Sequence, residues 1–124
     1  MLFRSYALDF AFPHESVREV TFRTAAPDDR LVGVGIVDQT PHALSAVYFF
    51  WDPAHAPASL GVAHIVMLVE QAAAAGLAHV YLGYRVSACP SLAYKGRFGA
   101  HELLEGRPGE AGDPPRWYAP RASA

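Results

Sequence analysis

Residues 31–84 constrain the fold more than any other part of the chain. Four patterned runs follow one another there, at residues 31–37, 43–51, 60–75 and 79–84. The first two are rich in β-branched and aromatic residues and are separated by a turn around Pro41, which predicts an antiparallel hairpin. The third has helical periodicity, and the fourth is again apolar. A strand, a helix and a strand in this order need a crossover connection, so we expect a mixed sheet with one long central helix.

The flanking residues extend this pattern. Residues 17–24 alternate apolar and polar side chains, which predicts a half-buried strand. We expect a short helix at 91–98, a last strand at 100–104 and a flexible tail over 106–124. This order is similar to the layout of the GNAT-type N-acyltransferase fold, so the expected class is α/β, of the α+β kind. The prediction is a single domain over 1–124, with its core at 17–105.

The predicted helix has recognisable ends. Ser59 can cap its start through the side-chain hydroxyl, and Gly76 suits its end. The free N–H groups around Ser59 and Gly61 favour an anion, and Gly61 lets a ligand approach the backbone. Every helix start has such groups, however, so an ordinary cap is an equally simple interpretation.

Composition excludes several classes of protein. The chain has 124 residues, of which 52% are hydrophobic and 18% charged, which indicates a globular protein. A net charge of −2 argues against a protein that coats nucleic acid. The single cysteine, Cys89, allows no internal disulfide. The six histidines show no metal-ligand spacing, and no run is long enough to cross a membrane, so we expect a cytoplasmic protein without a metal or cofactor.

Residues 94–98 combine aromatic and basic side chains. Tyr94, Lys95 and Arg97 could together stack a base and pair a phosphate. Alternatively, Tyr94 and Phe98 pack inward at helical spacing and the cations are simply solvated.

Candidate acid–base groups lie at or near the strands. Asp38 ends the first strand of the hairpin, Asp52 ends the second, and Glu70 lies on the polar side of the helix. Three tyrosines lie in runs that are expected to be buried strands, namely Tyr48, Tyr81 and Tyr84. A carboxylate or phenol there could accept a proton from an attacking amine. The simpler interpretation is that Asp38 starts a turn and that the tyrosines belong to the core.

Five short motifs carry a family resemblance. They are LSAVY at 44–48, DP at 52–53, SLG at 59–61, YLGY at 81–84 and YKGRF at 94–98. In this order, and together with residues 31–38, they resemble the C-terminal domain of the arginyl-tRNA–protein transferases, which include the bacterial aspartate/glutamate leucyltransferases. The resemblance covers roughly residues 17–105.

The resemblance implies transfer of an amino acid from aminoacyl-tRNA, as co-substrate, to the N-terminal amine of an acidic protein, which marks that protein for degradation. It implies that Lys95 and Arg97 contact the tRNA end and that Tyr94 shapes the aminoacyl pocket. Ser59 and Gly61 would line the helix-end site. The residues implied near the attacking amine are Asp38, Tyr48 and Tyr84.

Three departures from the family pattern keep alternatives open. The family's N-terminal domain has no counterpart here, so a separate chain or a second copy of this one could complete the protein. Pro57 and Ala58 stand where basic residues usually precede SLG, and Gly96 replaces an alanine. The rival interpretations are a domain without catalysis that binds a partner or a peptide N-terminus, and an acetyltransferase that uses acetyl-CoA.

Overall fold

The computed structural model describes residues 15–54, 59–85, 88–90, 94–106, 112 and 114–120. The chain divides into two compact units, Met1–Gly83 and Tyr84–Ala124. The first unit contains a four-stranded sheet and a long helix, and the second contains a short 3-10 helix and a two-stranded sheet.

The sheet of the first unit is mixed, as predicted. Its strands are β1 (Val17–Arg23), β2 (Leu31–Gln39), β3 (Ala43–Trp51) and β4 (His79–Tyr81), in that order across the sheet. The first three strands pair antiparallel, whereas β4 pairs parallel with β3. The predicted hairpin is therefore confirmed, and so is the crossover from β3 to β4. The last strand is shorter than the predicted run over 79–84.

The helix α1 (Leu60–Ala74) packs on one face of this sheet. Leu68, which has no exposed surface, and Ala72 form the core with Val37 and Leu44 from β2 and β3. Side chains alternate along a strand, so Val37 and the Gly33 and Gly35 positions face the helix, whereas Val32, Val34, Ile36 and Asp38 belong to the other face. Val32 to Val37 are all buried, so β2 is covered on both faces.

The helix ends as predicted but begins differently. Gly76 has φ +69°, and the N–H groups of Gly76 and Leu77 donate to the carbonyls of Ala73 and Ala72, which is the Schellman arrangement. Ser59 occupies the N-cap position, but its hydroxyl caps no backbone N–H, so that part of the prediction is wrong. The reason is its left-handed backbone, with φ 51° and ψ 48°, since a capping residue is normally extended.

Ser59→Gly is expected to stabilise the first unit by about 0.5–1 kcal/mol. A left-handed conformation costs an L-residue about 1–2 kcal/mol that glycine avoids, and the greater freedom of glycine in the unfolded chain offsets part of this gain. Urea denaturation of both proteins measures the difference. A lower stability for Ser59→Gly would show that the serine side chain has a stabilising contact after all.

The described residues of the second unit form one short 3-10 helix and two short strands. A 3-10 helix spans Tyr94–Arg97, within the helix predicted at 91–98, of which 91–93 lie outside the described residues. The strand β5 (Leu103–Glu105) pairs antiparallel with β6 (Arg116–Tyr118). β6 lies in the segment that we expected to be a flexible tail, where Gly and Pro residues conceal a strand of three residues.

Candidate functional site

A polar row crosses the sheet on the face away from α1. Asp38 on β2 pairs with Ser45 on β3, which in turn pairs with Tyr81 on β4. Directly paired residues share a face, and adjacent strands lie about 4.8 Å apart, so a carboxylate, a hydroxyl and a phenol are neighbours. Asp38 and Ser45 are half-buried, and Tyr81 is 42% exposed. Such a row can accept a proton and orient an attacking group by hydrogen bonding.

A β-bulge in β3 lies next to this row. Ile36 pairs with Tyr48, but the next residue, Val37, pairs with Ala46, so Val47 is the extra residue. Because of the bulge, Tyr48 lies on the same face as Asp38 and Ser45, one side-chain step along the sheet. The Tyr48 ring lies 6.0 Å from that of Phe50. The structure thus places two predicted residues, Asp38 and Tyr48, on one surface.

The prediction that the tyrosines lie in buried strands is wrong. Tyr48, Tyr81 and Tyr84 are 49%, 42% and 88% exposed, and Tyr84 lies beyond the end of β4. Aromatic runs indicate a strand but not which face is covered, because coverage depends on what packs there. One residue of the row, Ser45, went unassigned from sequence. The alternation of β3, with Leu44 inward and Ser45 outward, was the available signal.

The predicted helix-end site is separate from this surface. Ser59 and Gly61 lie at the start of α1, which packs on the other face of the sheet. The N–H groups of Val62 and Ala63 both donate to the Ser59 carbonyl at 3.1 Å and are therefore not free to bind an anion. The structure does not bring Ser59 and Gly61 onto the face that carries Asp38 and Tyr48.

His64 is a buried polar residue that sequence reasoning left unassigned. It is 2% exposed, its ring stacks on Phe49 at 4.6 Å, and neither ring nitrogen has a hydrogen-bond partner among the described residues. The ring fills the space that Gly35 leaves open. Burial lowers the pKa of His64 from its ordinary value of 6.5, because a charged ring there would lose its hydration.

Stability is therefore expected to fall as the pH decreases below about 6.5, down to the lowered pKa of His64. In that window the unfolded chain binds a proton that the folded chain does not, and the reverse slope would require a raised pKa. Urea denaturation at several pH values measures the slope in the wild type and in His64→Gln, which should lack this component. His79→Gln, which changes an exposed histidine on β4, is the matched control and should keep it. Equal slopes in all three proteins would contradict the prediction.

The second unit gathers the predicted aromatic and basic residues in one turn. Tyr94, Lys95 and Arg97 lie in the 3-10 helix, and the ring of Tyr94 contacts that of Phe98 edge to face at 6.2 Å. Burial raises the pKa of Tyr94 and lowers the pKa of Lys95. Arg85, unassigned from sequence, lies against the same turn.

Other polar groups have structural partners. Asp52, considered as an acid–base group, forms an ion pair with Arg30 at 2.7 Å and accepts a hydrogen bond from the Ala54 N–H. Within the described ranges, no three His, Cys, Asp or Glu side chains form a group that could hold a metal ion. No helix among the described residues is long and apolar enough to span a membrane.

Comparison with known proteins identifies the class. The family model described as "Arginine-tRNA-protein transferase, C terminus" matches residues 4–105. The aspartate/glutamate leucyltransferase of Aeromonas salmonicida (strain A449) is 47% identical over 77 residues, covering 62% of this chain and 32% of that protein. The same enzyme of Stenotrophomonas maltophilia (strain R551-3) is 44% identical over 89 residues, covering 72% and 32%.

A plant protein shows the same relationship. The arginyl-tRNA–protein transferase 1 of Arabidopsis thaliana is 43% identical over 82 residues, which cover 62% of this chain and 13% of the plant protein. The chain belongs to the family of the arginine-tRNA–protein transferase C-terminal domain. It spans about a third of the length of the bacterial relatives that it matches.

Proposed function

We propose that this chain transfers an amino acid from aminoacyl-tRNA to the N-terminal amine of a protein that begins with an acidic residue. The family match over residues 4–105 carries the proposal. Relatives at 42–47% identity are named aspartate/glutamate leucyltransferases or arginyl-tRNA–protein transferase. Such transfer would mark the acceptor protein for degradation in the cytoplasm. The mixed sheet with a single long helix agrees with the GNAT-type layout that we propose for the fold.

The reaction needs a proton acceptor but no covalent enzyme intermediate. The neutral amine of the acceptor attacks the ester carbonyl of the aminoacyl group, and an amide bond forms as the ester C–O bond breaks. The amine loses a proton, and the ribose oxygen that leaves the tRNA gains one. We assign Asp38 as the base, with Tyr48 and the Ser45–Tyr81 part of the row orienting the amine. Tyr84 stays a prediction for the amine site.

The donor is proposed to bind through the residues that the family resemblance implies. Lys95 and Arg97 would hold phosphates at the tRNA end, because both are cations on one short turn. Tyr94, half-buried beside Phe98, would shape the aminoacyl pocket. Ser59 and Gly61 keep their proposed place at the helix-end site, where Ser59 contributes its backbone rather than a capping hydroxyl.

Transfer of a labelled amino acid to a peptide with an acidic N-terminus tests the proposal. The purified chain is incubated with several charged tRNAs in turn, including leucyl- and arginyl-tRNA, beside Lys95→Ala as control. We expect label in the peptide with at least one donor and much less with the variant. No transfer above the Lys95→Ala level with any donor would overturn the proposal.

A binding domain without catalysis is the second candidate, because Pro57 and Ala58 stand where the family usually has basic residues before SLG. A separate chain, or a second copy of this one, would then be the bound partner. Size-exclusion chromatography coupled to light scattering shows whether two copies of this chain associate.

An acetyltransferase is the remaining alternative, and CoA at millimolar concentration would then stabilise the protein against heat. An unchanged melting temperature would count against that activity.

A further inference from the structure

Arg85 lies directly on the backbone of Gly96, at the centre of the 3-10 helix. A methyl carbon placed on Gly96 would lie 2.8 Å from Nε, 2.9 Å from Cζ and 3.2 Å from Nη2 of Arg85. Three atoms of one guanidinium group therefore lie close to the same point, which an alanine side chain would occupy. The Arg85 guanidinium can lie there because Gly96 has no Cβ.

This contact adds a third cation to the turn. Lys95 and Arg97 flank Gly96 in the chain, and the Arg85 guanidinium lies over it. Among the described residues, no carboxylate forms a salt bridge with any of the three, and the ion pair that is present joins Arg30 to Asp52 in the other unit. With no carboxylate paired to them in the described part of the chain, these cations can accept an anion from solution.

The chemistry of the turn favours a nucleic-acid phosphate over an isolated carboxylate. A guanidinium presents a planar fork of N–H donors that matches phosphate and carboxylate oxygens alike, and Arg85 stays exposed to solvent despite its contact with Gly96, so the preference for a nucleic acid comes from the neighbouring aromatic rings. Tyr94 and Phe98 place two aromatic rings on the same short segment, where a base next to the phosphate could stack.

We infer that Arg85, held in place by the absent side chain of Gly96, is a further phosphate-binding residue for the tRNA donor. The inference rests on the proposed function. It differs from that proposal in the residue assigned and in the role given to Gly96, which becomes the position that admits the arginine.

Binding of deacylated tRNA at several KCl concentrations tests the inference. The logarithm of the affinity falls by about 0.7–0.9 per phosphate contact for each tenfold increase in salt. Arg85→Ala should therefore reduce the slope of that plot by about 0.7–0.9 and weaken binding roughly 5- to 8-fold at 0.1 M KCl. Arg18→Ala, which removes an exposed arginine of β1 that donates to the carbonyls of Glu15 and Val17, is the matched control and should change little.

Gly96→Ala tests whether the position of the Arg85 guanidinium matters, because this variant keeps the charge of Arg85. The new methyl group displaces the guanidinium, so the variant should lose affinity although no charge is removed. The double variant Arg85→Ala/Gly96→Ala should bind no more weakly than Arg85→Ala alone, because the methyl group then displaces nothing. Circular dichroism of each variant checks that the fold is unchanged. Additive losses from the two changes would overturn the role of Gly96.

Three outcomes distinguish failure of the inference from failure of the proposed function. If Lys95→Ala/Arg97→Ala loses tRNA binding while Arg85→Ala binds like the wild type, the inference alone is overturned. If Arg85→Ala binds the acidic peptide more weakly and tRNA as tightly as the wild type, the inference is overturned too, since Arg85 would then bind a carboxylate. If the wild type binds no tRNA at any salt concentration, both are overturned.

Discussion

Asp38→Asn is expected to lower the rate of aminoacyl transfer by at least ~100-fold, the lower end of what a positioned general base contributes. Asn has the size of Asp, but it cannot accept the proton that the amine must lose. Asp38 is half-buried at the end of β2 and pairs with Ser45, so the substitution should leave the sheet intact. Rates at saturating charged tRNA and peptide measure the effect.

Glu70→Gln provides the matched control for Asp38→Asn. It makes the same change from acid to amide at an exposed position of α1, on the helix rather than in the polar row. Its rate should equal that of the wild type, and tRNA affinity should be unchanged in both variants because neither residue is assigned to the donor. A rate for Asp38→Asn within about threefold of the wild type would remove Asp38 from the role of base, since a general base contributes far more.

Gly35→Ala is expected to destabilise the first unit by about 1–3 kcal/mol, which is the usual cost of overpacking a core. The added methyl carbon would lie 2.9 Å from Nε2 of His64 and closer still to Cε1. The ring has little room to withdraw, because it stacks on Phe49 and meets the edge of Phe22 at 6.1 Å between ring centres. Urea denaturation gives the change in the free energy of unfolding.

A double-mutant cycle tests whether His64 is the cause of this cost. His64→Ala leaves a cavity and is itself destabilising, but adding Gly35→Ala to it should then cost little, because the methyl group occupies vacated space. Gly33→Ala is the comparison, since its methyl group would meet Phe49 at 3.2 Å and not His64 directly. Because Phe49 stacks on His64, His64→Ala should relieve Gly33→Ala in part, but less than it relieves Gly35→Ala. If the costs of Gly35→Ala and His64→Ala simply add, the complementary fit of the two positions is not what makes Gly35 necessary.

Much of the fold could be predicted because its signals are local. Each of these signals involves residues that are close together in the sequence: the alternation in β1, the aromatic run of β3 and the helical period of α1. The left-handed turn at Gly76 is likewise a property of one residue type. The short strand β6 escaped prediction because three residues carry almost no periodic signal, and only pairing with β5 makes them a strand.

The candidate sites, too, could be predicted from the sequence only in part. The sequence by itself determined the family, through motifs that stand in order along the chain, and it placed Lys95 and Arg97 on one turn because they are neighbours. Only the tertiary structure decided that Ser45 and Tyr81 lie beside Asp38, and that Arg85 rests on Gly96. Strand register and the space left by a missing Cβ depend on residues far apart in the chain, and no local pattern encodes them.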